Sequence, residues 1–545
     1  MLNKKRETMR DKSHKNYMGG PSYDLSPFAT LYVIATSALF GEPAYYETTR
    51  RGGRIEDTEA SEYVKSVFGS FGSFMEKVHE KSAENRVDAM VDAINASLKY
   101  DPELTIKFLV WLRNKAFIRA TSDVGLTVAS HSEYVRGTGL IRTYAKDIFA
   151  RLDDVTNALA YCLDKYGKPI PNSLKRAIAD RLEKASPYEI AKYAGKNKAV
   201  SLLDAIRLTH AKSEAIDAFC KGELTQSTQG NETWESIIST KGSNHDTWTE
   251  AINVMGHMAL LRNLRNFEKF DVDPQLFLDK LVAGVEKGKQ LPFRYFSAWR
   301  NVTSGEIKEA LEKCIDKSVV NLPILPGKSL ILTDNSGSAV GTRVSNLSDV
   351  NVSTCGNLMG ILTGLISESG TLGVFGDEVY YLPVNKKLGG TVLQMLSAAN
   401  RLGSGVGGST ENGIWLALDQ AIRSKERFDR IFIYSDMQAG HGGLYGVHSS
   451  FKNRYPVFPD KHRYYEYIDV PALVSEYRKT VNPDCKLYSV QIGGYSDTII
   501  PEFYPNTCIL GGWSPELLRF VTMYERGPEH IEELFRKELG CPKKQ

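Results

Sequence analysis

No Cys-x-x-C pair occurs in this chain of 545 residues. Its seven cysteines, Cys162, Cys220, Cys314, Cys355, Cys485, Cys508 and Cys541, lie far apart and are odd in number. That spacing speaks against a disulfide framework or a zinc ribbon and fits a reducing compartment. No run of eighteen apolar residues occurs either. The amino end, Met1-Leu2-Asn3-Lys4-Lys5-Arg6, is basic but lacks the apolar segment that secretion requires. A soluble cytoplasmic protein with no membrane partner is the expectation. An excess of one charge is missing too. The formal net charge is +3, which excludes a uniformly basic nucleic-acid coat but permits local patches. Gly403-Ser404-Gly405-Val406-Gly407-Gly408 fits Gly-x-Gly-x-x-Gly, yet it follows a helix-like segment instead of the first strand of a βαβ unit. The loop also lacks the lysine of a phosphate-binding P-loop. Neither nucleotide reading survives.

What is present falls into two halves, and the length alone calls for at least two domains. In the second half an apolar run, Ser329-Leu330-Ile331-Leu332-Thr333, ends in Asp334-Asn335-Ser336-Gly337-Ser338. An Asp-x-Ser-x-Ser turn aims three hard oxygen donors at one spot, which suits Mg²⁺, Mn²⁺ or Ca²⁺ better than zinc. The same residue types also serve as ordinary turn formers in a metal-free sheet. Downstream, Gly407-Gly408-Ser409-Thr410-Glu411-Asn412-Gly413 leads into a helix-like run. Arg430-Ile431-Phe432-Ile433-Tyr434-Ser435-Asp436 is a second apolar strand ending in an acid. Helical spacing over Val352–Glu368 and Val392–Arg401, with strands over Gly370–Asp377 and Lys486–Ile492, predicts a doubly wound parallel sheet. Open sheets of that kind bind ligands beyond the carboxyl ends of their strands. Asp334, Ser336, Ser338, Thr410 and Asp436 together resemble the metal-ion-dependent adhesion site of von Willebrand factor A domains. The resemblance implies direct ligands from the first loop and a shell completed by the threonine and the last aspartate.

The first half reads as helix after helix, from Phe28–Leu39 to Ser304–Val319, without convincing alternating strands. Short loops between such helices predict an α-solenoid of helical hairpins with degenerate repeats. Asn321-Leu322-Pro323-Ile324-Leu325-Pro326-Gly327 breaks the last helix. The expected division is a basic arm over 1–24, a helical domain over 25–320, a linker over 321–327 and an α/β domain over 328–545.

Two clusters carry the chemistry of the helical half. Between Lys165 and Lys198 stand nine Lys or Arg against Asp180, Glu183 and Glu189, a net of +6 in a chain of +3. Lys175, Arg176 and Lys192 belong to it, with Tyr188 and Tyr193 available for base stacking; phosphate backbones are the usual partner of such a patch, and a solvated helix surface is the alternative. Asn172 or Ser173 is placed to cap the helix that Leu174, Ile178 and Leu182 anchor. The second cluster, Leu261-Arg262-Asn263-Leu264-Arg265-Asn266, alternates core residues with planar donors, Arg262 and Arg265, suited to phosphate or to helix-end carbonyls.

Leu174-Lys175-Arg176-Ala177-Ile178-Ala179-Asp180, Ala191-Lys192-Tyr193, Asp204-Ala205-Ile206-Arg207-Leu208-Thr209-His210, the Leu261–Asn266 run and Leu291-Pro292-Phe293-Arg294-Tyr295 resemble the TROVE module of the Ro ribonucleoprotein autoantigen family. That family joins the module to a von Willebrand A domain in this order, and a bacterial or phage-like member is the match expected here. The resemblance implies a ring of HEAT-like repeats, monomeric, with small noncoding Y-like RNA on a basic outer face. It also implies single-stranded 3′ ends of structured or misfolded RNA in a central hole, a role in RNA quality control, and a 3′-to-5′ exoribonuclease as a partner. Lys192, Lys196 and His210 match its outer-surface RNA positions. Lys192 and Lys196 are four apart, one helical turn, with Gly195 between them weakening the helix. His210 could equally be a helix cap. Lys196 stands where better-known members carry arginine, giving a point charge for a planar fork.

Two stretches complete the reading. Lys4, Lys5, Arg6, Arg10, Lys12 and Lys15 make a flexible basic arm or a solubilising tail. Gly440–Asp469 is a long irregular insertion rich in Tyr, Lys, Arg and His. An RNA-binding scaffold is expected, with a protein-adhesion module that captures a partner carboxylate on its metal as the alternative. An enzyme is not expected, because the metal shell has few charged ligands and no obvious general base.

Overall fold

The computed structural model describes residues 13–15, 21–23, 25–37, 90–194, 199–224, 233–288, 290, 292–320, 322, 324–343, 350–384, 390–408, 412–437, 451, 453–455, 457–459, 466–493, 499–500, 506–512, 515–525 and 531–542. They divide into two compact units. One takes the described residues of 94–321, and the other those up to 41, those of 90–93 and those from 322 to the end.

The first unit is helical and two layers thick. Helices Pro102–Asn114, Leu140–Ile148, Asn172–Glu183 and Leu202–Thr209 pack each against the next in one layer. Helices Ala120–His131, Leu152–Lys165, Pro187–Tyr193 and Glu214–Cys220 do the same in the other. Each helix thus meets its next-but-one neighbour, the arrangement of stacked helical hairpins. Side chains at the helix starts set the element boundaries. Asp101 accepts the Leu104 amide at 3.0 Å, and Ser186 with Glu189 and Ser201 with Asp204 form reciprocal capping boxes. A buried ion cluster ties the stack: Asp154, wholly buried, accepts from Arg113 at 3.0 Å, from Arg119 and from the Arg151 amide at 2.8 Å. The unit continues through helices Trp234–Lys241, His245–Ile252, His257–Lys269, Leu278–Ala283, Val285–Gly288, Pro292–Arg300 and Gly305–Val320.

The second unit is an α/β sandwich. It contains two small antiparallel pairs: β1 (Ser13–Lys15) with β2 (Pro21–Tyr23), and β7 (Val457–Pro459) with β8 (Glu466–Ile468). Its main sheet comprises β3 (Leu325–Asp334), β4 (Ser367–Phe375), β5 (Val379–Val384), β6 (Arg430–Ser435), β9 (Lys486–Gln491) and β10 (Thr507–Gly511), in the order β10-β9-β6-β3-β4-β5. All neighbours are parallel except the edge pair β4–β5. The chain leaves β3 toward one edge and returns at β6 toward the other, so the switch point lies between these two strands. Leu330, Leu332, Ile431 and Ile433 face helices Gly413–Ser424 and Val470–Thr480 in one core. On the opposite face Tyr434 Oη and Thr363 Oγ1 of helix Val352–Ile366 meet at 2.7 Å. Helices therefore cover both faces, which explains why β3 and β6 are apolar on both sides.

Several expectations change. Helix Pro27–Ser37 belongs to the α/β unit: Phe28 and Tyr32 lie 5.5 and 5.2 Å, ring to ring, from Phe535, and the helix packs on β10. Apolar periodicity announces a buried face without naming what buries it. The change of unit falls between Asn321 and Leu322, and Leu325–Gly327, expected as linker, already belong to β3. The arm expected over 1–24 contains the β1–β2 pair, while Lys4, Lys5, Arg6, Arg10 and Lys12 lie outside the described residues. The 440–469 insertion contains β7 and β8 and is anchored through Phe451 on Trp415 (4.4 Å) and Tyr455, which donates to Asp419 at 2.6 Å. Asn172 opens its helix from inside, with no side-chain cap there. Among the described residues no helix is long and apolar enough to cross a membrane, and all seven cysteines are free thiols.

Candidate metal centre and nucleic-acid surface

At the switch point β3 ends in Asp334 and β6 in Ser435, with Asp436 immediately after. Asp334 is fully buried, and its two oxygens are already used: Oδ1 accepts the Ser336 amide at 2.8 Å and Oδ2 accepts the Ser435 hydroxyl at 2.7 Å. Burial drives its carboxyl above the ordinary aspartate value, against the pull of hydrogen bonds from Ser435, Ser336 and the Asp436 amide. Ser336 and Ser338 hydroxyls stand 3.2 Å apart. Four of the five expected ligands, Asp334, Ser336, Ser338 and Asp436, are thus gathered at the ends of adjacent strands; Thr410 lies outside the described residues. The Gly-rich loop before it reaches the turn, because Gly408 O accepts the Gly337 amide at 2.9 Å. Gly337 has to be glycine there, since a β-carbon would run into that carbonyl. The donors are carboxylate and hydroxyl oxygens, a set that fits a hard divalent cation such as Mg²⁺. Among the described residues no group of three or more His, Cys, Asp or Glu is placed to hold a metal, which leaves hydroxyls as necessary members of any shell.

Sequence reasoning missed three kinds of support. Ser435 braces Asp334 directly. Gln491, the last residue of β9, donates to Asp436 O at 2.9 Å and accepts the Gly493 amide at 2.7 Å. Asn335 and Asn357, both buried, and half-buried Asn400 form an amide chain behind the turn. The available signal was positional: a polar side chain closing an otherwise apolar parallel strand, or standing inside an apolar helix.

The basic residues of the helical unit separate into structural and available groups. Arg181 is used internally: it donates to Phe149 O at 2.9 Å and Ala150 O at 3.1 Å and pairs with Glu189 at 2.6 Å. Lys165, Lys168, Arg176, Lys184 and Lys192 are exposed and Lys175 is half-buried; none of the six is ion-paired among the described residues. Lys192 Nζ lies 5.9 and 5.7 Å from the Tyr188 and Tyr193 ring centres, so these rings back a cation. The helix carrying Lys192 ends at Tyr193, and Lys196, expected one helical turn on, lies outside the described residues. His210 is exposed and left-handed (φ 57°) at the end of helix Leu202–Thr209, the capping geometry offered as its alternative. In helix His257–Lys269, Leu261, Asn263 and Leu264 face inward while Arg262 and Arg265 are exposed. Neither arginine caps a carbonyl among the described residues; Asn263 does the inward bonding, donating to Ala259 O at 2.9 Å. Desolvation and the positive charge of Arg262 both lower the pKa of Arg294 on the packed neighbouring helix.

Residues 226–324 match the TROVE domain family. The likeness covers the last helices of the helical unit and ends just before β3. Arg262, Arg265 and Arg294 lie inside the matched segment, whereas Lys175, Arg176, Lys192 and His210 lie before it. No curated protein matches the sequence. Among solved structures, the crystal structure of the Ro (RSR) protein of Deinococcus radiodurans aligns over 80% of this chain and 93% of that one, with a TM-score of 0.55 at 14% identity. At that identity the likeness shows a shared fold.

Proposed function

We propose that this protein is an RNA-binding scaffold and not an enzyme. The observation that carries the reading is the TROVE match together with six cations, on and beside the preceding helices of the same unit, that have no ion-pair partner among the described residues. Lys175, Arg176, Lys192, Lys196 and His210 would take the phosphates of a small structured noncoding RNA of the Y-like kind on an outer face. Arg262 and Arg265 would take a further strand, the single-stranded 3′ end of a misfolded RNA, within a closed ring of HEAT-like repeats. The α/β unit is read as a von Willebrand A domain whose Asp334, Ser336, Ser338, Thr410 and Asp436 hold Mg²⁺, or Mn²⁺ or Ca²⁺, in a structural or partner-directed role. The cation would neutralise the buried carboxylates and offer one open position. A monomer in the cytoplasm, serving RNA quality control beside a 3′-to-5′ exoribonuclease, completes the proposal.

The second reading makes the cation's open position the working site, capturing a partner's carboxylate, with the basic surface incidental; the oxygen-only donor set supports it. Sequencing RNA that co-purifies with the full chain, followed by filter binding, separates the two. Absence of bound RNA and of binding to structured RNA would leave only the adhesion reading.

A further inference from the structure

Behind the Asp334 turn runs a chain of side-chain amides that no core-packing need explains. Asn335 Nδ2 donates to Thr333 O at 3.1 Å and to Asn357 Oδ1 at 3.0 Å. Asn357 Nδ2 answers with 2.9 Å bonds to Asn335 Oδ1 and to Asn400 Oδ1, and the Thr333 hydroxyl donates to Asn357 Oδ1 at 2.7 Å. A backbone carbonyl can only accept, so the bond to Thr333 O sets which way the Asn335 amide points. That orientation then sets Asn357, and Asn357 sets Asn400. Asn357 uses both donors and both acceptor positions, and it is wholly buried in helix Val352–Ile366 among Leu358, Ile361 and Leu362. A helix that merely covered a sheet would carry an apolar residue there, because burying an amide is costly unless every bond it can make is supplied.

The chain joins three elements that meet at the candidate cation site. Asn335 lies between Asp334 and Ser336, and its own amide donates to Phe375 O at 2.7 Å. Asn400 sits near the end of helix Val392–Gly403. Gly403 packs so closely on the Asn335 amide that a β-carbon would collide with it, and the loop that follows supplies Gly408 O to the Gly337 amide. We propose that Asn335, Asn357 and Asn400 are positioning residues. Their amides hold the Asp334–Ser338 turn in register with the Gly403–Gly408 loop, so divalent-cation affinity depends on side chains that touch no cation. The inference rests on the cation-site reading above and extends it to how the ligands are held.

The test is Mg²⁺ calorimetry and Mn²⁺ electron paramagnetic resonance on the full chain, with thermal unfolding in parallel. Asn357→Leu should bind either ion about 10- to 100-fold more weakly, the usual cost of losing a residue that orients a ligand. An Asn335→Ala, Asn357→Ala double variant should be no weaker than the worse single one, because the chain acts as a unit. Asn400→Leu, at the half-buried end, should show a smaller loss and serves if Asn357→Leu does not fold. Wild-type cation affinity in folded Asn357→Leu and Asn400→Leu would overturn the proposal while leaving the cation site standing. No divalent binding by the wild-type chain would overturn both.

Discussion

Ser435 gives its hydroxyl hydrogen to Asp334 Oδ2 across 2.7 Å, from the last residue of one parallel strand to the last residue of its neighbour. This bond spans the switch point of the sheet and orients the carboxylate on which the candidate cation site depends. Asp334, Ser336, Ser338 and Asp436 all belong to the α/β unit.

Asp334→Ala should therefore abolish divalent-cation binding and leave RNA affinity close to wild type. Calorimetry with Mg²⁺ and filter binding with structured RNA check the two halves of the statement. Equal loss of RNA binding in a folded variant would contradict the division of labour.

The reverse is expected of Lys192→Ala combined with Lys196→Ala. RNA affinity should fall similarly for all sequences tested, and cation binding should not change. The slope of log affinity against log salt should flatten by about 1 for each phosphate that is no longer neutralised.

Arg181 counts in the sequence as part of the same basic patch but holds the backbone oxygens of Phe149 and Ala150. Arg181→Ala should lower stability by about 1–3 kcal/mol, the cost of unmade bonds to a charged donor, with RNA affinity per folded molecule unchanged. Its partner Glu189 is partly desolvated, which alone would raise its pKa, yet Arg181 and the Ser186 amide hold the carboxyl below the ordinary glutamate value. A depressed carboxyl stabilises the fold above its unfolded value and loses that contribution as pH falls through the folded one. Glu189→Gln should lose stability at neutral pH and unfold less steeply in acid, as followed by circular dichroism.

Asp154 is a buried carboxylate holding two arginines. Asp154→Ala strands Arg113 and Arg119 beside a cavity and should cost about 3–5 kcal/mol in urea unfolding, the range for a broken buried pair.

Much of this was readable beforehand, for physical reasons that differ by element. The apolar runs ending in Asp334 and Asp436 announced buried parallel strands with acids at or just after their carboxyl ends. Helical periodicity located most of the stacked helices. The edge strand Val379–Val384 escaped because one exposed face weakens its apolar signal, and Thr507–Gly511 because five residues carry too short a pattern. The home of helix Pro27–Ser37 was illegible, since amphipathicity is silent about partners. Which cations are available was equally hidden: Arg181 and Arg176 look alike in sequence, and only the oxygens around Arg181 distinguish them.

The central claim is that the exposed cations of the helical unit hold RNA. Filter binding of the full chain to a structured RNA with a single-stranded 3′ end, between about 50 and about 200 mM salt, tests it most directly. Tight binding at low salt that falls steeply across this range is the predicted result. Binding that is absent, or indifferent to salt, would contradict the account.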